Sequence, residues 1–233
     1  MINKKTVSAI VLTAGNSTRY GKNRNKNFEM LNGKAVLHYS IEAFEKNDYI
    51  DDIIVAIKES EMQEVQNIIN NQPLTKNVKI IIGGKTRKES VYNCIKNTNS
   101  DIVIIHDGAR PLIKQEYITK CIENMNEFKG VTIGVKAKDT IKIADENDVV
   151  INTTKRSNTW LIQTPQCFDR ALLFKMHEKY KTDDVTDDCS LLEKDGHKIK
   201  IITGDYSNIK ITTEDDMIII KELYYNCWLT YLK

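Results

Sequence analysis

The sequence predicts an α/β fold, a doubly wound and mostly parallel sheet with a β-arm protruding at about residues 138–155. Two observations predict the sheet. Short runs rich in β-branched residues alternate with amphipathic stretches, and the runs are apolar throughout, as in strands that are buried on both faces. The arm is predicted because this alternation breaks near residue 136, where two short strand-like runs flank a polar turn.

The first half of the chain supplies the alternation. Strands are predicted over residues 7–13, 52–57, 78–82, 102–105 and 131–135. Helices are predicted over 35–46, 59–71, 87–97 and 114–127, where apolar residues recur at helical spacing. Between residues 59 and 71, for example, Met62, Val65 and Ile69 fall on one helical face. Strands and helices in this order need crossover connections, which make the predicted sheet Rossmann-like.

The second half of the chain begins with the predicted arm. Residues 138–152 read as two short strands around an Asp-Glu-Asn-Asp turn, a hairpin with little core of its own. We therefore expect the arm to leave the body of the domain and pack on a second subunit. The sequence then predicts helices over 170–180 and 187–195, strands over 198–203 and 208–211, and a helix from Thr213 to the C-terminus. The acidic start of the last helix suits the helix dipole.

Composition bounds the class of protein. The chain has 233 residues, three prolines and no Pro/Gly-rich linker, so one domain over 1–233 is expected. Lys plus Arg number 34 and Asp plus Glu 32, a balance that gives no general attraction to nucleic acid or to an anionic membrane. No apolar run approaches the roughly 18–20 residues of a membrane span. The five cysteines lack CxxC spacing, which disfavours a disulfide framework or a zinc site and suits a reducing cytoplasm.

The segment after the first strand, residues 13–26, is a candidate phosphate-binding loop. Small and turn-forming residues after a strand leave backbone amides free to bind phosphates. From Gly15 to Lys34 there are five basic residues against one acid, Glu29, and this local excess indicates a polyanionic ligand. An exposed loop whose lysines are only solvated is an equal alternative on this pattern. The segment contains neither GxxxxGK[ST] nor GxGxxG, which disfavours a dehydrogenase.

A second candidate, residues 106–111, directly follows the predicted strand 102–105. Ligands of open parallel sheets lie beyond the carboxyl ends of the strands, where Asp107 could hold Mg²⁺ together with phosphate oxygens and water. The alternative is an ordinary turn in which Asp107 caps amides and Arg110 forms a surface ion pair. His106 is expected to be structural rather than catalytic.

Two further groups of residues are ambiguous when taken alone. The glycine pair Gly83 and Gly84 would allow a flat base to approach, but paired glycines also serve as ordinary strand-to-helix punctuation. Hydroxyl and basic residues late in the chain would usually face solvent; they are Thr140, Arg156, Thr164, Thr186 and Lys210.

Six segments of the chain together form a family signature because of their order and spacing. They are Gly83–Val91, Ile105–Pro111, Asp139–Lys142, Arg156–Gln166, Thr186–Asp188 and Asn208–Thr212. Together they resemble the 2-C-methyl-D-erythritol 4-phosphate cytidylyltransferase family of the non-mevalonate isoprenoid pathway. The resemblance runs from about Ser8 to about Lys221, nearly the whole chain.

The resemblance implies a Mg²⁺-dependent transfer of CMP from CTP to 2-C-methyl-D-erythritol 4-phosphate, with release of pyrophosphate. Because the attacking phosphate oxygen is already an anion, catalysis is expected to consist of positioning and charge neutralisation. The catalytic cations implied are Arg19, Lys26 and Lys210. The implied nucleotide contacts are Ala14, Gly15, Gly84, Arg87, Ser90 and Asp107, of which Asp107 also ligates the metal.

The resemblance also implies the contacts to the polyol phosphate. They are Asp107, Arg110, Thr140, Arg156, Thr164, Thr186 and Lys210. Thr140 and Arg156 lie on or next to the predicted arm, so the family pattern has them reach into the site of a partner subunit. The resemblance therefore implies a homodimer formed through the arm.

The sequence departs from the family pattern in the first loop. The usual Ala-Ala-Gly-x-Gly-x-Arg-Met-Gly is Thr-Ala-Gly-Asn-Ser-Thr-Arg-Tyr-Gly over residues 13–21, and the usual Pro-Lys-Gln is Asn25-Lys26-Asn27. An aromatic run at residues 224–229 is also unusual and is expected to pack on the body or on a partner.

Three other functions stay open on the sequence. One is a CTP-dependent cytidylyltransferase for ribitol 5-phosphate or a related alditol phosphate in cell-wall polymer synthesis. Another is a nucleotide sensor without turnover, which the retained cations disfavour. The third is a nicotinamide-dependent oxidoreductase, which would lack its glycine fingerprint.

Overall fold

The computed structural model describes residues 5–15, 20–21 and 25–231, with side chains as far as Tyr225. The strands of this part of the chain are β1 (Val7–Leu12), β2 (Met30–Leu31), β3 (Lys34–Ala35), β4 (Asp52–Ile57), β5 (Asn77–Ile82), β6 (Ile102–Asp107), β7 (Gly130–Lys136), β8 (Lys142–Ala144), β9 (Val150–Thr153), β10 (Trp160–Asp169) and β11 (Ile199–Thr203). The helices are α1 (Val36–Glu45), α2 (Met62–Asn70), α3 (Arg87–Lys96), α4 (Gln115–Glu123), α5 (Arg170–Lys179), α6 (Cys189–Lys194) and α7 (Glu214–Tyr231).

Seven strands form the central sheet, in the order β11-β7-β10-β6-β1-β4-β5. β1 lies parallel to both β4 and β6, and β4 is parallel to β5. β10 is antiparallel to both of its neighbours. The predicted Rossmann-like, mostly parallel sheet is confirmed. Since the chain runs from β1 toward β5 on one side and returns to β6 on the other, the strand order reverses beside β1, where such sheets form a crevice for ligands.

The apolar character of the strands follows from burial on both faces. Every residue of β6 is buried. Ile102 and Ile104 pack in one core cluster, and Val103 and Ile105 pack in the cluster on the opposite face. Because successive side chains of a strand point to opposite faces, a strand between two helical layers must be apolar throughout.

The strand predicted over residues 208–211 is wrong. These residues are irregular, and their described backbone contact across the fold is the amide of Ile211, which donates to the carbonyl of Ala109 at 2.9 Å. Ile211 is fully buried against Ala109 and Tyr20. The segment is therefore held by buried side chains at the end of the sheet and not by a strand ladder.

The sequence pattern does not predict the long strand β10, because the middle of this strand is polar. Its pairing with β7 shifts register between Ile162 and Gln166. Gln163, Thr164 and Pro165 fall in this irregularity, where a proline does not interrupt a ladder. Irregularities of this kind re-aim side chains, and this one lies at the candidate site.

The predicted hairpin consists of β8 and β9, which pair antiparallel with each other. The Asp145 carboxylate closes its turn by accepting hydrogen bonds from the amides of Asn147 and Val149, both at 2.9 Å. Every residue of the two strands is exposed. Four apolar side chains of the hairpin are therefore open to solvent in the single chain: Ile143, Val149, Val150 and Ile151.

The last helix packs back on the body of the domain. The Asp216 carboxylate accepts hydrogen bonds from the amides of Thr212 and Thr213 at 2.7 and 2.8 Å, which fixes the first turn of α7. The ring of Tyr224 lies edge-on to Tyr39 of α1, with 5.4 Å between ring centroids. The start of the aromatic run thus packs on the body, while the side chains of residues 226–229 lie outside the described part. Among the described residues, no helix has the length and apolarity that a membrane span requires.

Candidate active site

Two adjoining cavities lie at the carboxyl ends of the central strands. The first has a volume of about 250 Å³, and its lining includes seven of the predicted site residues: Ala14, Gly15, Lys26, Arg87, Ser90, Asp107 and Lys210. The second has a volume of about 450 Å³, and its lining includes Arg110, Thr164 and Thr186. Both cavities share Arg87, Asp107 and Lys210. Two ligands could therefore lie side by side and meet at these three charged residues.

The Asp107 carboxylate is the centre of a charge cluster. It lies 3.0 Å from Lys210 Nζ, 3.3 Å from Arg110 Nε and 3.8 Å from Arg87 Nε. Burial alone would raise the pKa of Asp107, but Lys210, Arg87 and Arg110 hold it well below the ordinary value. The carboxylate is thus ionised and aligns cations that come from three separate segments.

Arg87 links this cluster to a second buried carboxylate. Its Nη1 lies 2.6 Å from Asp188 Oδ2, and Asp188 Oδ1 lies 3.2 Å from His177 Nε2. Burial would lower the pKa of Arg87, but Asp188 and Asp107 raise it above the ordinary value. Arg87 is therefore a fixed cation. In the first cavity it is joined by Lys26, Lys85 and Lys210 against the one described carboxylate of Asp107, an excess that favours an anionic ligand.

The first turn of α3 also holds the segment that carries Thr186. Lys88 Nζ donates to the carbonyls of Lys181 and Asp183 at 3.1 and 2.9 Å, and also to that of Tyr180. Arg87 binds Asp188 two residues beyond Thr186. Both ends of the segment are thereby fixed to the helix that lines the first cavity, which sets Thr186 at the second.

The glycine pair after β5 packs against the first loop. A Cβ on Gly83 would lie 2.7 Å from Ala14 Cβ, and one on Gly84 would lie 2.2 Å from Glu89 Cβ. The amide of Gly84 donates to Ser90 Oγ at 3.1 Å, which turns the chain into α3. Gly84 does not itself line the first cavity, whereas Ser90 does. The glycines are required by close packing as well as by the turn.

Lys26 is held at the first cavity by the two asparagines that depart from the family pattern. It begins a short 3₁₀ turn, for which the Asn25 side chain accepts the amide of Asn27 at 3.1 Å. Asn25 Nδ2 donates to the Thr13 carbonyl at 2.9 Å and to Glu61 Oε1 at 2.9 Å. The asparagines, which stand where the family pattern has proline and glutamine, thus tie the turn to the end of β1.

His106 lies behind the cavities and has the structural character that the sequence predicts. It is fully buried and lines neither cavity. Its Nε2 lies 3.1 Å from the Arg110 carbonyl oxygen, and its Nδ1 lies 3.0 Å from Thr164 Oγ1. Burial lowers the pKa of His106 to about 4, so the ring is neutral at physiological pH.

Four predicted site residues are not among the described residues that line these cavities, and one of them is Gly84, which packs against Glu89. Arg19 lies outside the described residues. Thr140 and Arg156 lie at the base of the hairpin and line neither cavity. The Arg156 guanidinium instead donates to the Lys138 carbonyl at 3.4 Å.

The two cavities are also lined by residues that the sequence analysis does not single out as site residues. Lys85 and Asn27 line the first cavity, and Gln163 and Gln166 line the second. Asp188 is fully buried, and its only signal in the sequence is its place in the motif Thr186–Asp188. The residues adjacent to Asp188 in the sequence do not indicate that its carboxylate is buried behind the cavities.

The site fits Mg²⁺ only as a partner of a bound polyphosphate. Asp107 is the single carboxylate among the described residues that line the first cavity, and no described cluster of three His, Cys, Asp or Glu side chains could hold a metal by itself. Mg²⁺ typically takes one or two carboxylates and completes its shell with phosphate oxygens and water. Asp107 together with a triphosphate would meet that requirement.

Comparisons with known proteins show the family of the chain. The chain matches the family described as "IspD: 2-C-methyl-D-erythritol 4-phosphate cytidylyltransferase" over residues 7–225. Relatives called 2-C-methyl-D-erythritol 4-phosphate cytidylyltransferase include one from Caldanaerobacter subterraneus, 43% identical over 218 residues (91% of this chain and 96% of the relative). Another, from Clostridium beijerinckii, is 44% identical over 216 residues, again 91% of this chain and 96% of the relative.

Solved structures are similar as well. The 4-diphosphocytidyl-2C-methyl-D-erythritol synthase of Anaerococcus prevotii superposes with a TM-score of 0.84 at 33% identity, over 95% of this chain and 99% of that one. The 2-C-methyl-D-erythritol 4-phosphate cytidylyltransferase of Francisella tularensis gives a TM-score of 0.77 at 30% identity, over 96% and 99%.

The Arg87–Asp188 pair makes a prediction about stability. Asp188→Asn removes the nearer of the two buried carboxylates that face the Arg87 guanidinium and leaves Asp107 at 3.8 Å as the other, so the free energy of unfolding at pH 7 should fall by about 3–5 kcal/mol. The pKa of Asp188 is lowered in the fold, so its ionised form stabilises the protein above the ordinary carboxyl pKa, and this contribution is lost as the pH falls. Denaturant unfolding at pH 7 and pH 3 should show a difference from wild type that shrinks at pH 3.

A matched control is Asp183→Asn, which removes a carboxylate from an exposed pair with Lys194. This variant should unfold like the wild type at both pH values. An equal and pH-independent loss in both variants would contradict the buried ion pair.

Proposed function

Because the chain belongs to the 2-C-methyl-D-erythritol 4-phosphate cytidylyltransferase family, we propose that it transfers CMP from CTP to 2-C-methyl-D-erythritol 4-phosphate in isoprenoid precursor biosynthesis. The products are 4-diphosphocytidyl-2-C-methyl-D-erythritol and pyrophosphate. The observation that carries the proposal is the pair of cavities that meet at Arg87, Asp107 and Lys210. The family match and the relatives favour methylerythritol phosphate over ribitol 5-phosphate as the acceptor.

In this proposal the first cavity holds CTP. Ala14 and Gly15, with the turn from Lys85 to Ser90, form the wall for the base, and Gly84 supports this turn through the hydrogen bond from its amide to Ser90 Oγ. The loop after β1 contributes cations for the triphosphate. Lys26 lines this cavity. Arg19 belongs to the same loop, four residues after Gly15, and is proposed as the second cation for the triphosphate.

The second cavity holds the polyol phosphate, bound by Arg110, Thr164 and Thr186. Its phosphate would lie beside the shared cluster, so that an anionic oxygen can attack the α-phosphorus in line while Lys210 and Lys26 offset the accumulating charge. No protein base is needed for this attack. His106, the described histidine closest in sequence to Asp107, has both ring nitrogens engaged and is buried away from the cavities.

Mg²⁺ is proposed as the cofactor, with Asp107 as its protein ligand. When bound, the ion would supply further neutralisation of the phosphate charge. Asp107 is suited to this because its carboxylate stays ionised far below neutral pH. The surrounding cations would then turn toward the substrate phosphates.

A homodimer formed through the hairpin is the proposed assembly. An isolated two-stranded hairpin is marginally stable in water, and this one exposes Ile143 and Ile151 at 48% and 66% of their surface. Thr140 and Arg156 lie at its base, outside the cavities of their own chain. We propose that they complete the second cavity of the partner, and that residues 1–233 form one nucleotidyltransferase domain with an arm at about 138–155. We expect the enzyme to act in the cytoplasm, because its cysteine spacing suits a reducing compartment.

The direct test of the function is a pyrophosphate-release assay with CTP, Mg²⁺ and either 2-C-methyl-D-erythritol 4-phosphate or ribitol 5-phosphate. We expect turnover with the methylerythritol substrate and a kcat/KM at least tenfold lower with ribitol 5-phosphate, because a site built for one hydrogen-bonding pattern leaves groups unpaired with another. A higher kcat/KM with ribitol 5-phosphate would overturn the substrate, and CTP binding without any pyrophosphate release would indicate a sensor.

The role of Lys26 gives a second prediction. Lys26→Met should lower kcat by roughly 10²-fold, because a cation that stabilises developing charge is lost. The matched control is Lys46→Met, since Lys46 is exposed at the end of α1 and pairs only with Glu42 among the described contacts. Steady-state kinetics with both substrates would check this. Equal activity of both variants would remove Lys26 from the catalytic residues.

The proposed dimer gives a third prediction. It can be tested by mixing two variants that are each impaired. If Arg156 acts in the partner's site, a heterodimer of Lys26→Met and Arg156→Ala has one site with both defects and one site with neither. After the two variants are mixed and allowed to exchange subunits, activity should therefore rise well above that of either homodimer. No gain, despite subunit exchange shown by native mass spectrometry, would place Arg156 in the site of its own chain or outside any site.

A further inference from the structure

A hydrogen-bonded chain behind the second cavity has a fixed direction. His106 Nε2 lies 3.1 Å from the carbonyl oxygen of Arg110. A carbonyl oxygen can only accept, so Nε2 must carry a hydrogen. The ring has no exposed surface, and neither nitrogen contacts a carboxylate among the described hydrogen bonds, so it is a neutral imidazole. In a neutral imidazole with its hydrogen on Nε2, Nδ1 is an acceptor.

The direction of the next hydrogen bond follows. Thr164 Oγ1 lies 3.0 Å from His106 Nδ1, so the Thr164 hydroxyl must donate to it. The backbone amide of Asp107 donates to the same oxygen at 3.0 Å. A hydroxyl has one hydrogen and two lone pairs. Its hydrogen and one lone pair are therefore used inside the protein, and one lone pair is left.

Thr164 lines the second cavity. A ligand there that reaches the Thr164 hydroxyl would meet this remaining lone pair. A phosphate oxygen is an acceptor and gains nothing from a lone pair. A hydroxyl of the polyol can donate to it. The phosphate has its own partners in the same cavity, the cations Arg87, Arg110 and Lys210.

We propose that His106 is a positioning residue that makes the Thr164 hydroxyl an obligatory acceptor, so that Thr164 binds a hydroxyl of the acceptor substrate and not its phosphate. This inference rests on the proposed function. It divides the second cavity into a cationic part that binds the phosphate of the acceptor substrate and a part at Thr164 that binds one of its hydroxyl groups. His106 touches no substrate and acts only through Thr164.

Two substitutions of His106 distinguish the contribution of Nδ1 from that of Nε2. In His106→Asn the amide oxygen can take the place of Nδ1 and accept from Thr164. In His106→Gln the amide nitrogen can take the place of Nε2 and donate to the Arg110 carbonyl, while Thr164 loses its acceptor. The KM for 2-C-methyl-D-erythritol 4-phosphate should rise about tenfold in His106→Gln and less than threefold in His106→Asn, with the KM for CTP unchanged in both.

Thr164 itself supplies the matching pair. Thr164→Val removes the hydroxyl and should raise the same KM about tenfold, whereas Thr164→Ser keeps the hydroxyl and should raise it less than threefold. Inhibition by inorganic sulfate, which has no hydroxyl to donate, should be equal in all four variants. A parallel loss of sulfate inhibition and substrate affinity would place Thr164 against the phosphate and overturn the proposal.

The state of the ring can be measured without any activity. In ¹⁵N-histidine-labelled protein, NMR should show His106 with a protonated Nε2 and an unprotonated Nδ1. A hydrogen on Nδ1 would overturn the proposal. So would equal KM increases in His106→Asn and His106→Gln that follow their loss of thermal stability, since they would show a packing role alone. If the wild type fails to use 2-C-methyl-D-erythritol 4-phosphate at all, the proposed function fails, whereas the NMR result still decides the direction of the hydrogen bonds.

Discussion

The buried carboxylate of Asp107 is the interaction on which the candidate site depends. It ends β6 and lies within 3.8 Å of cations from three segments: Arg87 on α3, Arg110 in the following loop and Lys210 before α7. A buried charge without partners would be costly, so the carboxylate and the cations fix each other's positions. The same cluster separates the two cavities and touches both. It organises the fold at the point where two anionic molecules would have to meet.

The residues around this cluster hold the charged side chains and hydrogen-bonding groups of the candidate site in place. α3 contributes Arg87 to the first cavity and, through Lys88 and the Arg87–Asp188 pair, holds the segment that carries Thr186. Asn25 and Asn27 tie Lys26 to the end of β1 and so replace residues that the family pattern supplies. His106 sets the direction of a hydroxyl without reaching either cavity. A reaction between two phosphates needs little more from the protein than such placement of charge and of hydrogen bonds.

Much of this was predictable from the sequence because it depends on local pattern. The continuous apolar runs gave the parallel strands, since burial on both faces demands them. The pattern failed where residues serve the site. The polar middle of β10 concealed a strand, whereas Ile209 and Ile211 suggested a strand in a segment that is held by buried side chains and by the hydrogen bond from the Ile211 amide to the Ala109 carbonyl. Family motifs implied that Ala14, Lys26, Asp107 and Lys210 share a site, and all four line one cavity in the structure. They could not reveal Asp188 as the buried partner of Arg87, because that contact joins residues 101 positions apart.

A crystal structure with CTP and Mg²⁺ bound would test most directly whether the Asp107 cluster brings two phosphates together. We expect the triphosphate in the first cavity, with the ammonium groups of Lys26 and Lys210 within hydrogen-bonding distance of its oxygens and the α-phosphorus facing the second cavity beside Asp107. A triphosphate bound elsewhere, or both ammonium groups turned away from it into solvent, would contradict the claim that this cluster assembles the two phosphates.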